Sequence, residues 1–107
     1  MATILLASIS SATIASRVEV VHEFLPFQPG SNPRSPLTSD GDKLYGVGGG
    51  PGNVGGIYAI DLAGLGYSEI YTFSGSLLGL NPIGQIIPVG SRLYGVTRFG
   101  GANNLGT

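Results

Sequence analysis

Three short stretches of this chain carry residue types that could do chemistry. Asp40-Gly41-Asp42 sets two carboxylates around a glycine, as in loops that hold calcium through oxygen ligands. Gly50-Pro51-Gly52-Asn53-Val54-Gly55 fits the spacing G-x-G-x-x-G, whose glycines let a backbone approach a pyrophosphate. His22, the one imidazole of the chain, lies between Glu19 and Glu23 and has the groups of a base or a ligand.

Each of these has a plainer reading. A dinucleotide fingerprint must open a helix, so that the pyrophosphate sits at the helix N-terminus. Here the stretch runs into Gly56-Ile57-Tyr58-Ala59-Ile60, which is strand-like, and no Lys completes a phosphate loop. A glycine-rich loop between strands is the simpler reading. Asp40-Gly41-Asp42 likewise reads as a hairpin turn. No Ser or Asp constellation accompanies His22, so a strand position that takes an aromatic-sized ring suits it better. We therefore assign no catalytic, cofactor-binding or metal-binding residue, and no cofactor.

The elements that would position such groups are set by an internal repeat. Shifting the chain by 49 residues brings Phe24 onto Phe73, Gly30 onto Gly79, Asn32-Pro33 onto Asn81-Pro82 and Gly41 onto Gly90. The same shift brings Leu44-Tyr45-Gly46-Val47 onto Leu93-Tyr94-Gly95-Val96 and Gly52 onto Gly101. These are ten identities without a gap, against roughly three expected by chance in so glycine-rich a chain. The alignment also tests the motifs. Opposite Asp40-Gly41-Asp42 stands Val89-Gly90-Ser91, which keeps the turn glycine and loses both carboxylates, and opposite His22 stands Tyr71.

Within each unit the pattern is of short strands. Val18 to Phe24 and Tyr67 to Phe73 are β-branched and aromatic, and Lys43 to Gly48 and Arg92 to Thr97 follow a glycine turn. Ser35 to Ser39 and Gly84 to Val89 are shorter and broken by proline, as at a sheet edge. Gly56 to Leu62 alternates, with Ile57 and Ala59 on one face and Tyr58 and Ile60 on the other. Tyr45, Tyr58, Tyr71 and Tyr94 recur at these strand positions and are read as packing residues rather than a sugar platform. The fold expected is all-β: tandem units of short antiparallel strands resembling the blades of a β-propeller. Residues 17–65 form the first unit and residues 66–107 a second, incomplete one, so the chain is expected to be a fragment with further repeats of its own kind.

Composition agrees and narrows the partners. With 107 residues, 19 glycines and 42% hydrophobic residues, the chain is too apolar for a linker and lacks collagen's spacing. Five Lys and Arg against six Asp and Glu leave a net charge of −1, with no basic footprint for nucleic acid. There is no Cys for a disulfide framework or a thiolate metal site. Residues 1–16 carry no charge and read as a leading strand or an export signal, with Thr13-Ile14-Ala15 as a small-residue cleavage site. They are too few to span a membrane as a helix.

Taken together, several motifs resemble the GloVer ("choice-of-anchor") tandem repeats of bacterial surface and secreted proteins. They are Thr72-Phe73-Ser74-Gly75, Asn81-Pro82, Gly90-Ser91-Arg92-Leu93-Tyr94-Gly95-Val96-Thr97 and Gly100-Gly101 through Gly106-Thr107. The first unit matches at Phe24, Asn32-Pro33, Asp40-Gly41, Leu44-Tyr45-Gly46-Val47 and Gly55-Gly56-Ile57-Tyr58. Val47 and Val96 depart from the family pattern, which has Thr after Leu-Tyr-Gly. A kelch-like repeat is the second resemblance, carried by Lys43 to Gly49 and Ile57 to Asp61, although the chain lacks the kelch Trp. Either resemblance implies propeller-type blades. The first implies a non-catalytic module of a secreted or cell-surface protein, presenting loops to a protein or glycan. The alternative is part of a propeller enzyme, a lyase or glycosidase whose active residues lie on other blades.

Overall fold

A computed structural model describes residues 3–9 and 16–107. The proposed cleavage site at Thr13-Ile14-Ala15 lies outside the described residues. Among the described residues eight strands follow in order: β1 (Thr3–Ile9), β2 (Ser16–Glu23), β3 (Thr38–Ser39), β4 (Lys43–Gly48), β5 (Gly56–Asp61), β6 (Tyr67–Thr72), β7 (Leu80–Val89) and β8 (Arg92–Phe99). Two single 3-10 turns, Pro51–Asn53 and Ser76–Leu78, interrupt the connections. The fold is all-β and antiparallel, as expected. Among the described residues no helix is long and apolar enough to cross a membrane.

The strands form three sheets, each from neighbours in sequence: β1-β2, then β3-β4-β5-β6, then β7-β8. The sheets do not close on one another. With extents of 55 × 32 × 19 Å and a radius of gyration of 15.0 Å, the chain is longer than a compact domain of its size, for which about 13 Å is usual.

Both faces of the central sheet are covered, which explains why β4 and β5 are buried at most of their positions. Alternation sends Tyr58 and Ile60 of β5 to one face, where Ile4 and Phe24 of the first sheet and its following loop meet them beside Leu44. The other face carries Tyr45, Val47 and Ala59, packed by Ile86 of β7 and partly by Leu93 of β8. Full burial of Val47 or Ile60 contributes about 1.5–3 kcal/mol each.

Some elements differ from the sequence expectation. The strand expected over Ser35–Ser39 contracts to Thr38–Ser39, because Pro36 cannot donate to a ladder and Pro33 makes only an isolated bridge to Gly48. Its counterpart β7 is longer than expected and starts at Leu80, ahead of Pro82. Between Ile83 and Ile87 its register with β8 slips, and Gly84 takes a φ of 73°. The bulge turns Ile86 into the core, where it is 3% exposed.

Pairing irregularities on β2 and β6 recur at a distance of 49 residues, while their partners on β1 and β5 are 53 apart. In β1-β2 the partners are Ile4↔His22 and Leu5↔Val20, leaving Val21 as a bulge. In β5-β6 they are Ile57↔Tyr71 and Tyr58↔Glu69, leaving Ile70 as a bulge. The bridge Pro33↔Gly48 is likewise matched by Pro82↔Thr97.

Candidate functional site

Asp40, in the turn between β3 and β4, has three side-chain hydrogen bonds. Its Oδ1 accepts hydrogen bonds from the amides of Asp42 at 2.9 Å and Lys43 at 2.8 Å. Its Oδ2 accepts one from the Tyr45 hydroxyl at 2.7 Å. An aspartate before a glycine turn folds back on its own backbone in this way. The Tyr45 hydroxyl, with the amides of Lys43 and Asp42, holds the Asp40 carboxyl below its ordinary value. The same bond to Asp40 raises the Tyr45 phenol above its ordinary 10.0. Asp61 plays a similar part at the next turn, where its Oδ1 accepts from the amides of Ala63 at 2.8 Å and Gly64 at 3.4 Å. These carboxylates are engaged by the turns they close.

His22 lies in an aromatic cluster between the first two sheets. Its ring stacks on Tyr67 with centroids 3.8 Å apart and planes 3° from parallel, and meets Phe24 edge-on at 4.7 Å. Phe24 in turn stands edge-on to Tyr58 at 5.2 Å. The His22 Nε2 donates to Gln28 Oε1 at 3.2 Å, and the same oxygen accepts from the Leu25 amide at 2.9 Å. Burial pushes the Tyr58 phenol up to about 12. Burial and the charge of Glu69 do the same for Tyr67, also to about 12. The Tyr67 hydroxyl is enclosed without a hydrogen-bond partner. Glycine at position 30 makes room for the rings, since a β-carbon there would stand 2.9 Å from both Tyr58 Cδ1 and the Tyr67 oxygen.

Gly50 to Gly55 form the loop between β4 and β5, with a 3-10 turn over Pro51–Asn53 and positive φ at Gly50, Gly52 and Gly55. No helix follows that could hold a pyrophosphate; β5 does. Gly50 packs on the carbonyl of Pro29 and Gly55 on the ring of Pro82, so the small residues let neighbouring backbone approach.

On the other face of the central sheet a cavity of about 180 Å³ is lined by Ile57, Phe73, Pro82, Ile86, Leu93 and Thr107, among others. Its lining is mostly apolar and carries no ionisable side chain. Among the described residues no three His, Cys, Asp or Glu side chains are grouped to hold a metal ion. Asp40, His22 and the glycine loop are not brought together in one place.

One polar contact was not legible beforehand. Arg34 Nη1 donates to Asn81 Oδ1 at 2.7 Å, across 47 residues of sequence. Asn81 is buried and left-handed, with a φ of 56°, and Asn32 at the matching place has a φ of 54°. The signal available was the recurring Asn-Pro pair, since Asn tolerates this conformation better than most residues. Of the four recurrent tyrosines, Tyr45 and Tyr58 are core residues, while Tyr71 and Tyr94 are 41% and 53% exposed. No family model, curated protein or solved structure matches the chain.

Proposed function

We propose that the chain is a non-catalytic module of repeated, stacked β-sheets, related in kind to propeller blades and presenting its loops to a protein or glycan. A secreted or cell-surface protein is the setting that fits the resemblance to GloVer repeats. The observation that carries this reading is the recurrence, 49 residues apart, of the same bulge at Val21 and Ile70 and the same bridge at Pro33 and Pro82. Packing supports it too. Leu44 lies against the cluster that contains Ile4, and Leu93 lies against the cluster beside Ile57.

Side chains with chemical potential support a structural role as well. Asp40 closes a turn, His22 stacks in an aromatic core, and Arg34 ties the loop before β3 to Asn81. The sheet β7-β8 presents Tyr94 and Val96 to solvent where the central sheet buries Tyr45 and Val47. A further sheet of the same kind belongs over that face in the assembled protein.

The test is to assay the purified chain side by side for binding to a glycan array and for product release from neutral and acidic polysaccharides. Saturable binding without product supports the module. Release of reducing ends or unsaturated products overturns it in favour of a lyase or glycosidase, and silence in both assays sinks glycan presentation.

A further inference from the structure

We propose that the loops at one end of the stacked sheets dip into the surface of an uncharged lipid bilayer, with Phe27 and Leu78 among the leading side chains. Such docking goes beyond the module reading, because strand direction, loop contacts and charge carry it.

Strand direction gathers the loops. Antiparallel pairing puts the end of β4, the start of β5 and the end of β6 at one end of the central sheet. Backbone bonds then draw in the loops on either side. The amides of Gly49 and Gly50 donate to the carbonyls of Asn32 at 3.1 Å and Ser31 at 2.9 Å. Those of Phe73 and Asn81 donate to Gly55 at 3.0 Å and Val54 at 2.9 Å. Residues 24–33, 49–55 and 73–79 thus form one bonded row.

Both outer loops of that row hold large apolar side chains in solvent. The chain turns between Leu25 and Gln28: the Gln28 amide donates to the Leu25 carbonyl at 3.1 Å, and Gln28 Oε1 accepts from the Leu25 amide at 2.9 Å. Pro26 fixes its own φ within the turn, and Phe27 at the corner is 83% exposed beside Leu25 at 63%. A shift of 49 places Phe27 and Pro29 on Ser76 and Leu78. There a 3-10 turn over Ser76–Leu78 leaves Leu77 68% and Leu78 71% exposed. The two loops check each other. The first is followed by the sheet β3-β4-β5-β6 and the second is preceded by it, yet the apolar tip is exposed in both.

Charge decides what meets them. Residues 24–33, 49–55 and 73–79 contain no Asp, Glu, Lys, Arg or His. The turns at the opposite end of the strands hold Asp40, Asp42 and Lys43, then Asp61, then Arg92. Arg34, beside the row, is engaged with Asn81. A tip that enters a bilayer must bring no charge, because a charged side chain is costly there. Three of the four tip residues are leucines, which offer a sugar no ring face and gain by leaving water for hydrocarbon. The two tips flank the β4–β5 loop as separate points, which suits a yielding surface better than the fixed contour of a folded partner. With no cation in the row, attraction to anionic headgroups has no source, so the lipid is zwitterionic.

The chain has no Trp, so Phe27→Trp puts a single fluorescent reporter on the row. Val89→Trp, at a 59% exposed position by the far end, is the control. With phosphatidylcholine vesicles the Phe27→Trp emission should shift to the blue and be quenched by bromine on the acyl chains, while that of Val89→Trp does neither. Phe27→Ser and Leu78→Ser, both at exposed positions, should each lower the partition coefficient in vesicle flotation about tenfold. Added salt should change it little. A folded, β-rich chain that leaves the vesicles alone overturns the lipid contact and leaves the module reading to its own assay. Equal quenching of both reporters, partition unchanged by the serine variants, or binding that needs anionic lipid overturns it too. Glycan binding lost in Phe27→Ser, without partition into vesicles, overturns it and gives the row to the module's partner. A chain whose circular dichroism is not β-rich overturns both readings together.

Discussion

Tyr45 and Tyr94 stand 49 positions apart in matching strands, yet the first is 9% exposed and the second 53%. The difference comes from the neighbour: the sheet β7-β8 covers Tyr45, and among the described residues no sheet covers Tyr94. The valines two positions on behave alike, at 0% and 57%. Val47→Ala should therefore cost about 2 kcal/mol through lost packing. Val96→Ala, at an exposed position, should stay within about 0.5 kcal/mol. Paired urea titrations measure both, and equal losses would contradict the uncovered face.

Acid should loosen the β3–β4 turn. The Asp40 carboxyl is held below 3.8 in the folded chain, so its contribution is present above that value and is lost as pH falls through the folded one. Asp40→Asn should lower the melting temperature at neutral pH, and the gap to the parent chain should close on acidification below 3.8. A gap that persists in acid would show that the Asp40 charge is not what matters.

Alkali acts on the aromatic cluster with the opposite sign. Tyr58 and Tyr67 have folded values near 12 against an ordinary 10.0. Their contribution is complete below 10.0 and disappears as pH rises toward 12. Tyr67→Phe removes an enclosed hydroxyl that has no partner, and should leave stability unchanged or raise it by up to about 1 kcal/mol while flattening the alkaline loss. Melting curves across this range decide it.

Space above the same rings is set by Gly30. A β-carbon there would press on Tyr58 and Tyr67 at 2.9 Å and on Phe24 at 3.2 Å, so Gly30→Ala should cost about 1–3 kcal/mol. Gly64→Ala is the control, because nothing lies within 4 Å of its β-carbon. It should be neutral, and chemical denaturation of the two variants reports the contrast.

Asn81 combines a left-handed backbone with the bond to Arg34. Asn81→Gly keeps the conformation and loses the bond, at about 1.5–3 kcal/mol for a contact with a charged group. Asn81→Ala also loses the bond but keeps a β-carbon at positive φ without the polar side chain that lets asparagine tolerate it, adding about 1 kcal/mol relative to glycine. The order of the two melting temperatures, glycine above alanine, is the check.

Strand β4 was legible to the residue, since Lys43 to Gly48 follow a glycine turn and nothing interrupts them. The two faces of β5 were legible as well, because Tyr58 and Ile60 alternate with Ile57 and Ala59. What escaped was set by contacts distant in sequence. Identical residues such as Tyr45 and Tyr94 differ in burial only through what stacks on them, which no local pattern encodes. The Arg34–Asn81 tie joins positions 47 apart, which a shift of 49 does not align, so comparing the shifted stretches could not reveal it. The bulge that aims Ile86 inward depends on Gly84, whose positive φ is decided by the pairing of β7 with β8.

Every strand pairing joins residues at most 20 positions apart, the widest being Thr3↔Glu23. All-β proteins usually fold slowly because their strands must find distant partners. Here each hairpin can zip locally and dock afterwards. A two-stranded hairpin is marginal alone in water, so it is docking on the central sheet, where Ile4 and Phe24 meet Tyr58 and Ile60, that makes each local pairing last.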